Sequence, residues 1–353
     1  MKYIISTHSF LILVNFSEDW DIQDYQVLSK GYHFGISVQN CLMKKNGDMV
    51  SAESNQSIDT LTVYRGGKSG VEQNEMSLLT FKTNGEVVSN VPISGNLGDV
   101  HQLAYANGGI YIANTRYNRI TFQSLDSNFC QEYAFHGLDY DRNHINSVFP
   151  SGNQIFVILH NLAYSESELA ILYHDPMSGF ELKHVLSLWN VGCHNVFVDG
   201  DYLFYNASQK HHFVVVDLKN DRIAKRISFT GWHTKGISVT DKYIVVGLSE
   251  HTFRDKRLLA QGKLAVMDKN SLSTLRIVDL DFPDLPHSIG NVNEIRCLSE
   301  VEMAQARPSE TRINWGKLKF AKQNRVSHSL NRARIRTLLP LRQFKGYLRA
   351  VIK

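Results

Sequence analysis

The chain has 353 residues, 43% of them hydrophobic and 20% charged, with 15 histidines and a formal net charge of +4. This composition excludes a disordered or low-complexity chain, and no run reaches the roughly 18 apolar residues of a membrane-spanning helix. The charge is divided: residues 308–353 carry twelve Lys/Arg against Glu310 alone, which is +11 and leaves −7 for residues 1–307.

In chain order, the segment from Met1 to Val14 has a lysine and apolar residues, but His8 and its polar neighbours interrupt it and no small-x-small cleavage site follows. Strands are expected there instead, three of them over residues 2–29. A repeat then begins. Gly31-Tyr32-His33, Asp99-Val100-His101, Asn143-His144, Cys193-His194 and Trp232-His233 each place a histidine just before an apolar strand, and Val292-Asn293-Glu294 puts Asn293 in the sixth such place. Turn signals follow, as at Asn107-Gly108-Gly109, Asp199-Gly200-Asp201 and Thr240-Asp241-Lys242, each leading into a second β-rich run. A third run (Ile120–Phe122, Val214–Val216, Leu264–Val266) and a fourth (Arg222–Phe229) complete the unit.

The anchors lie 68, 43, 50, 39 and 60 residues apart, close to the roughly 40 to 50 residues of a four-stranded propeller blade with insertions in the longer units. Too little strand-like sequence follows Asn293 for a whole blade, so the three strands of residues 2–29 are expected to complete it. The expectation is an all-β, six-bladed β-propeller over residues 1–307, closed by N-terminal strands.

The first strand of each blade lines the central channel, and the second returns to the same face. One mouth therefore gathers His33, His101, His144, His194, His233 and Asn293 at strand starts. At the ends of the returning strands it gathers Glu53, Asn114, His160, Asn161, Asn206, Ser249 and Glu250. Converging imidazoles suit a divalent transition metal, iron, copper or zinc, so His33, His101, His144, His194 and His233 are the candidate ligands. Five exceed the usual three or four, and the offset of His33 and His233 from the following Gly-Ile-Ser-Val sets them apart. A histidine that bonds between blades would recur in the same way, so a structural role stands beside the metal. Glu294 is the candidate general base or partner of a ligand, and Lys235 and Arg296 are candidates to hold an anionic group. Asn114, Asn161, Asn206, Asn293 and Glu250 are candidates to bind substrate.

Other signals are weaker. His211-His212 reads as surface. Gly66-Gly67-Lys68-Ser69-Gly70 lacks the full phosphate-loop spacing and reads as a flexible insertion. Cys41, Cys130, Cys193 and Cys297 form no CxxC pair and suggest reduced thiols in the cytoplasm. From Ser329 the basic tail has Phe344, Leu348, Val351 and Ile352 at helical intervals, with Pro340 dividing it. A short helical tail, 308–353, is expected to dock on an anionic membrane surface, a partner protein or the acidic flank of the body. It has no recognisable nucleic-acid-binding fold.

The motifs Cys193-His194-Asn195 and Asp199-Gly200-Asp201, with Gly236-Ile237-Ser238 and Val246-Gly247-Leu248-Ser249-Glu250, resemble an uncharacterised bacterial six-bladed β-propeller family, a domain of unknown function, over roughly residues 30–300. The resemblance implies a place near glycan or specialised-metabolite biosynthesis and no particular reaction. The architecture is more distantly similar to gluconolactonase-like and strictosidine-synthase-like propellers and the streptogramin lyases. Their channel residues differ, so no catalytic role carries over. The residues themselves suggest a metal-dependent lyase, hydrolase or oxidase acting on a small polar, saccharide-like or glycan substrate. A non-catalytic propeller scaffold or ligand-binding protein is the alternative.

Overall fold

The computed structural model describes residues 1–31, 33–38, 60–65, 77–82, 87–92, 97–124, 129–137, 140–163, 165–285, 288–298 and 313–318, without the side chains of residues 33–92, 163, 254 and 255. Three strands open the chain, Lys2–Thr7 (β1), Phe10–Phe16 (β2) and Ile22–Lys30 (β3). Five four-stranded meanders follow. They are His33–Val38, Thr60–Arg65, Ser77–Lys82 and Val87–Pro92 (β4–β7); Val100–Ala106, Gly109–Asn114, Arg119–Ser124 and Cys130–Ala134 (β8–β11); Ile145–Ser151, Gln154–Leu159, Glu168–Asp175 and Gly179–Ser187 (β12–β15); Cys193–Asp199, Tyr202–Ala207, His212–Asp217 and Arg222–Ser228 (β16–β19); and Trp232–Val239, Tyr243–Glu250, Gly262–Asp268 and Thr274–Asp279 (β20–β23). Val292–Cys297 (β24) then pairs antiparallel with β1, with Ile5 opposite Ile295, and gives a sixth sheet of order β24-β1-β2-β3.

The innermost strands touch in a closed circuit, β4 to β8, β12, β16, β20, β24 and back to β4. The fold is therefore an all-β propeller, and strands from distant parts of the chain share one sheet. Hydrophobic patterning follows position in the sheet. The inner strand β16 and the third strand of its sheet, β18, are almost wholly buried, because both faces pack on other sheets. The outermost strand β19 alternates exposed and half-buried residues and carries Arg222, Lys225 and Arg226, charges that protect a free sheet edge from pairing with another chain. The hairpin at Asn107 (φ 55°) and Gly108 (φ 75°) has two successive left-handed residues, the geometry that Asn-Gly supplies most readily.

One irregularity recurs in every sheet. Just inside its start, each innermost strand carries one extra residue relative to its partner: between His33 and Ile36, Val100 and Leu103, Ile145 and Ser147, His194 and Val196, Thr234 and Ile237, and at Asn293 between Val292 and Glu294. These β-bulges free side chains from the ladder and re-aim them.

Within the segment assigned to the tail, residues 313–318 pack on the body, where Trp315 is buried with its ring centroid 5.2 Å from that of Phe156. The rest of that segment, including the helix expected from Ser329, lies outside the described residues, as do Cys41, Glu53 and Gly66–Gly70. Among the described residues, no helix is long and apolar enough to cross a membrane.

Candidate functional site: a ring of imidazoles at the channel mouth

Five histidines from four neighbouring sheets form a continuous arc, His144 and His160 from one hairpin and His101, His194 and His233 from one sheet each. Ring centroids lie 4.9 Å apart for His101 and His144, 5.2 Å for His144 and His160, 4.9 Å for His160 and His194, and 5.5 Å for His194 and His233, each pair edge to face. Four of them were legible as strand-start histidines. His160 comes from the end of a returning strand, and the structure places it between His144 and His194. His33 begins β4, whose side chains lie outside the described set.

The hydrogen bonds fix which nitrogen carries the proton. His101 Nδ1 lies 2.6 Å from the Asp99 carbonyl, and since a carbonyl only accepts, Nδ1 is the donor. The same nitrogen lies 2.8 Å from Thr115 Oγ1, a hydroxyl that donates to the Ile145 carbonyl. His194 repeats the arrangement: Nδ1 faces the Gly192 carbonyl (3.2 Å) and Ser208 Oγ (2.9 Å), whose hydroxyl donates to the Thr234 carbonyl. His144 Nδ1 donates to Asp141 Oδ2 at 2.7 Å. Burial and the neighbouring positive groups hold His101, His194 and His233 well below the usual imidazole range, and push His160 down to about 3. His101 and His194 are therefore neutral at pH 7, with the lone pair on Nε2. His160 is buried, and its Nδ1 has no hydrogen-bond partner among the described residues.

Beneath the imidazoles the bulges build a floor. Gln102 accepts from Val148 N in the next sheet (2.8 Å), Asn146 donates to the Cys193 carbonyl (3.0 Å), and Asn195 Oδ1 accepts from Gly236 N (2.7 Å). Lys235 Nζ donates to Asn293 Oδ1 (3.2 Å). These four bulged side chains thus each tie their strand to the next one round the ring. Glu294 is the hub: it is 1% exposed, its Oε2 accepts from Gln102 (2.7 Å) and Asn195 (3.3 Å), and its Oε1 accepts from Arg296 (2.7 Å). These donors come from three sheets, so the carboxylate spans the channel. Burial raises its pKa, opposed by Arg296 and Gln102.

Several expected site residues therefore sit elsewhere in the architecture. Glu294, expected as a general base or as the partner of a ligand, belongs to the buried floor. Arg296 also donates to the Ile237 carbonyl (3.1 Å) and is held against Glu294. Asn114 accepts from Gly98 N, Asn161 accepts from Asn143 Nδ2, and Asn206 donates to Asn195 Oδ1, so these buried amides stitch loops and seams. Glu250 is exposed at the strand end and accepts from Gln261 N at 3.4 Å. Asn293 stays at the mouth through Lys235. Lys235 is half-buried among the imidazoles, and burial together with Arg257 brings its pKa down to about 7. Arg257 was not singled out in the sequence because it lies in an irregular turn after β21. His211 is half-buried, donates from Nδ1 to the Trp232 carbonyl (2.8 Å) and meets His251 edge to face at 5.3 Å.

Among the described residues, no three His, Cys, Asp or Glu side chains are gathered tightly enough to hold a metal ion. The arc is a row of neighbouring edge-to-face pairs.

No family model matches the chain, and no curated protein matches it. Among solved structures it is similar to a chain of a nidogen/laminin complex, with a TM-score of 0.58 and 10% identity over 84% of this chain and 97% of that one. It is also similar to a protein of unknown function from Bacteroides caccae, with a TM-score of 0.55 and 10% identity over 85% and 99%. A streptogramin B lyase aligns with a TM-score of 0.44 and 12% identity over 72% and 70%, too distant to bear on function. At 10% identity the first two likenesses show the fold alone, a β-propeller, and leave the mouth's chemistry to be argued from its residues.

Proposed function

We propose that the chain is a six-bladed propeller enzyme, each sheet one blade, that acts on a small polar, saccharide-like substrate at the histidine-lined mouth with a divalent transition metal as cofactor. The observation that carries this reading is the shared tautomer of His101, His144 and His194. Each commits Nδ1–H to an oxygen acceptor and so puts the lone pair on Nε2, the tautomer in which metal-binding imidazoles are usually held. His144, His160 and His194 are the central candidates, and His160, with no bond holding Nδ1, is the ring best able to turn onto an ion. The metal would polarise a substrate oxygen or activate a water. The free thiols of Cys130, Cys193 and Cys297 support a cytoplasmic setting.

The test is elemental analysis of tag-free protein followed by titration with zinc, iron(II) and copper(II). The reading expects close to one equivalent of one ion, and about tenfold or greater loss of affinity in His160→Ala and His194→Ala. Less than about a tenth of an equivalent, with no binding on titration, would refute it. The lack of a tightly gathered triad among the described residues favours a second reading, a non-catalytic ligand-binding propeller. That reading expects the same variants to alter ligand affinity with no metal present.

A further inference from the structure

Ser208 follows β17 by one residue, opens the short 3-10 turn Ser208–Lys210 and is fully buried. Its hydroxyl donates across the seam between two sheets to the Thr234 carbonyl, on the residue after His233. A hydroxyl carries one proton, so with that proton committed the oxygen can only accept from His194 Nδ1, 2.9 Å away. Thr234 returns a bond across the same seam, from Oγ1 to the His212 carbonyl at 3.2 Å. A chain of donors thus runs from His194 Nδ1–H through Ser208 Oγ–H to the Thr234 carbonyl, and its direction is fixed because its last member only accepts. It links two imidazoles whose ring centroids are 5.5 Å apart. The other tautomer of His194 would set an Nδ1 lone pair against the Gly192 carbonyl at 3.2 Å and against an oxygen whose proton is already taken. Two repulsions would replace two bonds in a buried place, where unmet polar groups are costly. The same device stands two sheets away. Thr115 follows β9 by one residue, donates to the Ile145 carbonyl in the next sheet and lies 2.8 Å from His101 Nδ1.

We infer that Ser208 is a positioning residue of the mouth: its hydroxyl holds His194 in the tautomer with the lone pair on Nε2 and sets that ring against His233 across the seam. This rests on the reading of the mouth as the ligand site, and goes further by assigning a residue that itself touches no ligand. Serine suits the place because one small atom must both donate to a carbonyl and accept from an imidazole N–H. Alanine would leave the Thr234 carbonyl and the His194 N–H each short of a partner, with only the longer contact to Gly192 to orient the ring. Threonine supplies the same oxygen, as Thr115 does beside His101.

The experiment is long-range proton–nitrogen correlation NMR on the full chain, metal-free and near neutral pH, which shows for each imidazole which nitrogen carries the proton. His194→Gln identifies the His194 signals, and thermal melting checks that each variant is folded. In the wild-type protein His194 should be protonated at Nδ1 alone. Ser208→Ala should shift it to a mixture of tautomers or to Nε2–H and lower zinc affinity at least about tenfold, the usual cost of removing the outer partner of a ligating imidazole. Ser208→Thr should restore both the spectrum and the affinity. An unchanged Nδ1–H signal in Ser208→Ala would overturn the inference, and so would a folded Ser208→Thr protein that behaves like the alanine variant. If the tautomer shifts and zinc affinity does not, the positioning role falls and the metal reading stands. If the tautomer shifts as expected and neither protein takes up zinc, the metal reading falls, and the hold of Ser208 on His194 stands.

Discussion

Protonating His160 in the folded protein places a charge beside Lys235 and Arg257 in a buried mouth, and its pKa is accordingly near 3 against an ordinary 6.5. The unfolded chain takes up that proton as pH falls through 6.5 and the folded chain declines it until much lower. Stability is thus fully present above pH 6.5 and is lost below it, by up to about 1.4 kcal/mol per pH unit for each such imidazole. His101, His194 and His233 are displaced in the same direction, though interacting neighbours titrate as a group and the slopes add incompletely. Lys235 has the same sign in a higher window. Its amine falls from 10.5 to about 7, so the unfolded state holds a proton that the folded state gives up, and stability rises with pH across that interval. Melting temperature should drop steeply between pH 6.5 and 5, less steeply in His160→Asn, and Lys235→Met should remove much of the rise above pH 7. A flat profile from pH 7 to 5 would show that water reaches the rings. The strand-start histidines were legible because they recur before apolar runs. Arg257 was not, because no periodicity places a turn residue over a channel.

The repeated bulge explains why the sequence located the floor residues and left their depth in the channel open. Spacing identifies which residues begin an inner strand, but one extra residue decides which of them leaves the ladder and how deep its side chain reaches. Asn293 and Glu294 are adjacent, yet one receives Lys235 at the mouth and the other closes the channel. Gly236 shows the constraint at its tightest. With φ at 82°, an added Cβ would meet Ile295 at 3.2 Å while the backbone sat in a region that side chains rarely adopt. Gly236→Ala should cost about 1–3 kcal/mol in chemical denaturation and should weaken ligand binding by shifting Lys235 next to it. Full stability in that variant would mean that the bulge relaxes easily and does not position the lysine.

At the scale of the whole molecule, the shared sheet and the repeat were readable from the positions of apolar runs and turn residues, including the use of residues 2–29 to complete the last sheet. The cross-channel hub was not, since Gln102, Asn195 and Glu294 come from three sheets and nothing in their local sequence pairs them. Removing one partner of a buried ion pair strands the other, so Glu294→Gln should cost about 3–5 kcal/mol by leaving Arg296 without its counter-charge. Combining it with Arg296→Met should cost less than the sum of the two single changes, a coupling that a denaturation cycle measures directly. Additive costs would show that the pair contributes nothing beyond its separate contacts.

The sheet that unites β1 with β24 also sets an order of events when the chain is made. Lys2–Thr7 is synthesised before its partner Val292–Cys297, which follows only after the other described strands of the ring have emerged. Throughout that interval one edge of an apolar, fully formed hairpin has no neighbour to pair with, the condition under which nascent chains stick to one another or recruit chaperones. The last inner strand to be synthesised is also the one that brings Asn293 and Glu294, so the growing protein is protected from association and acquires its channel floor in the same step.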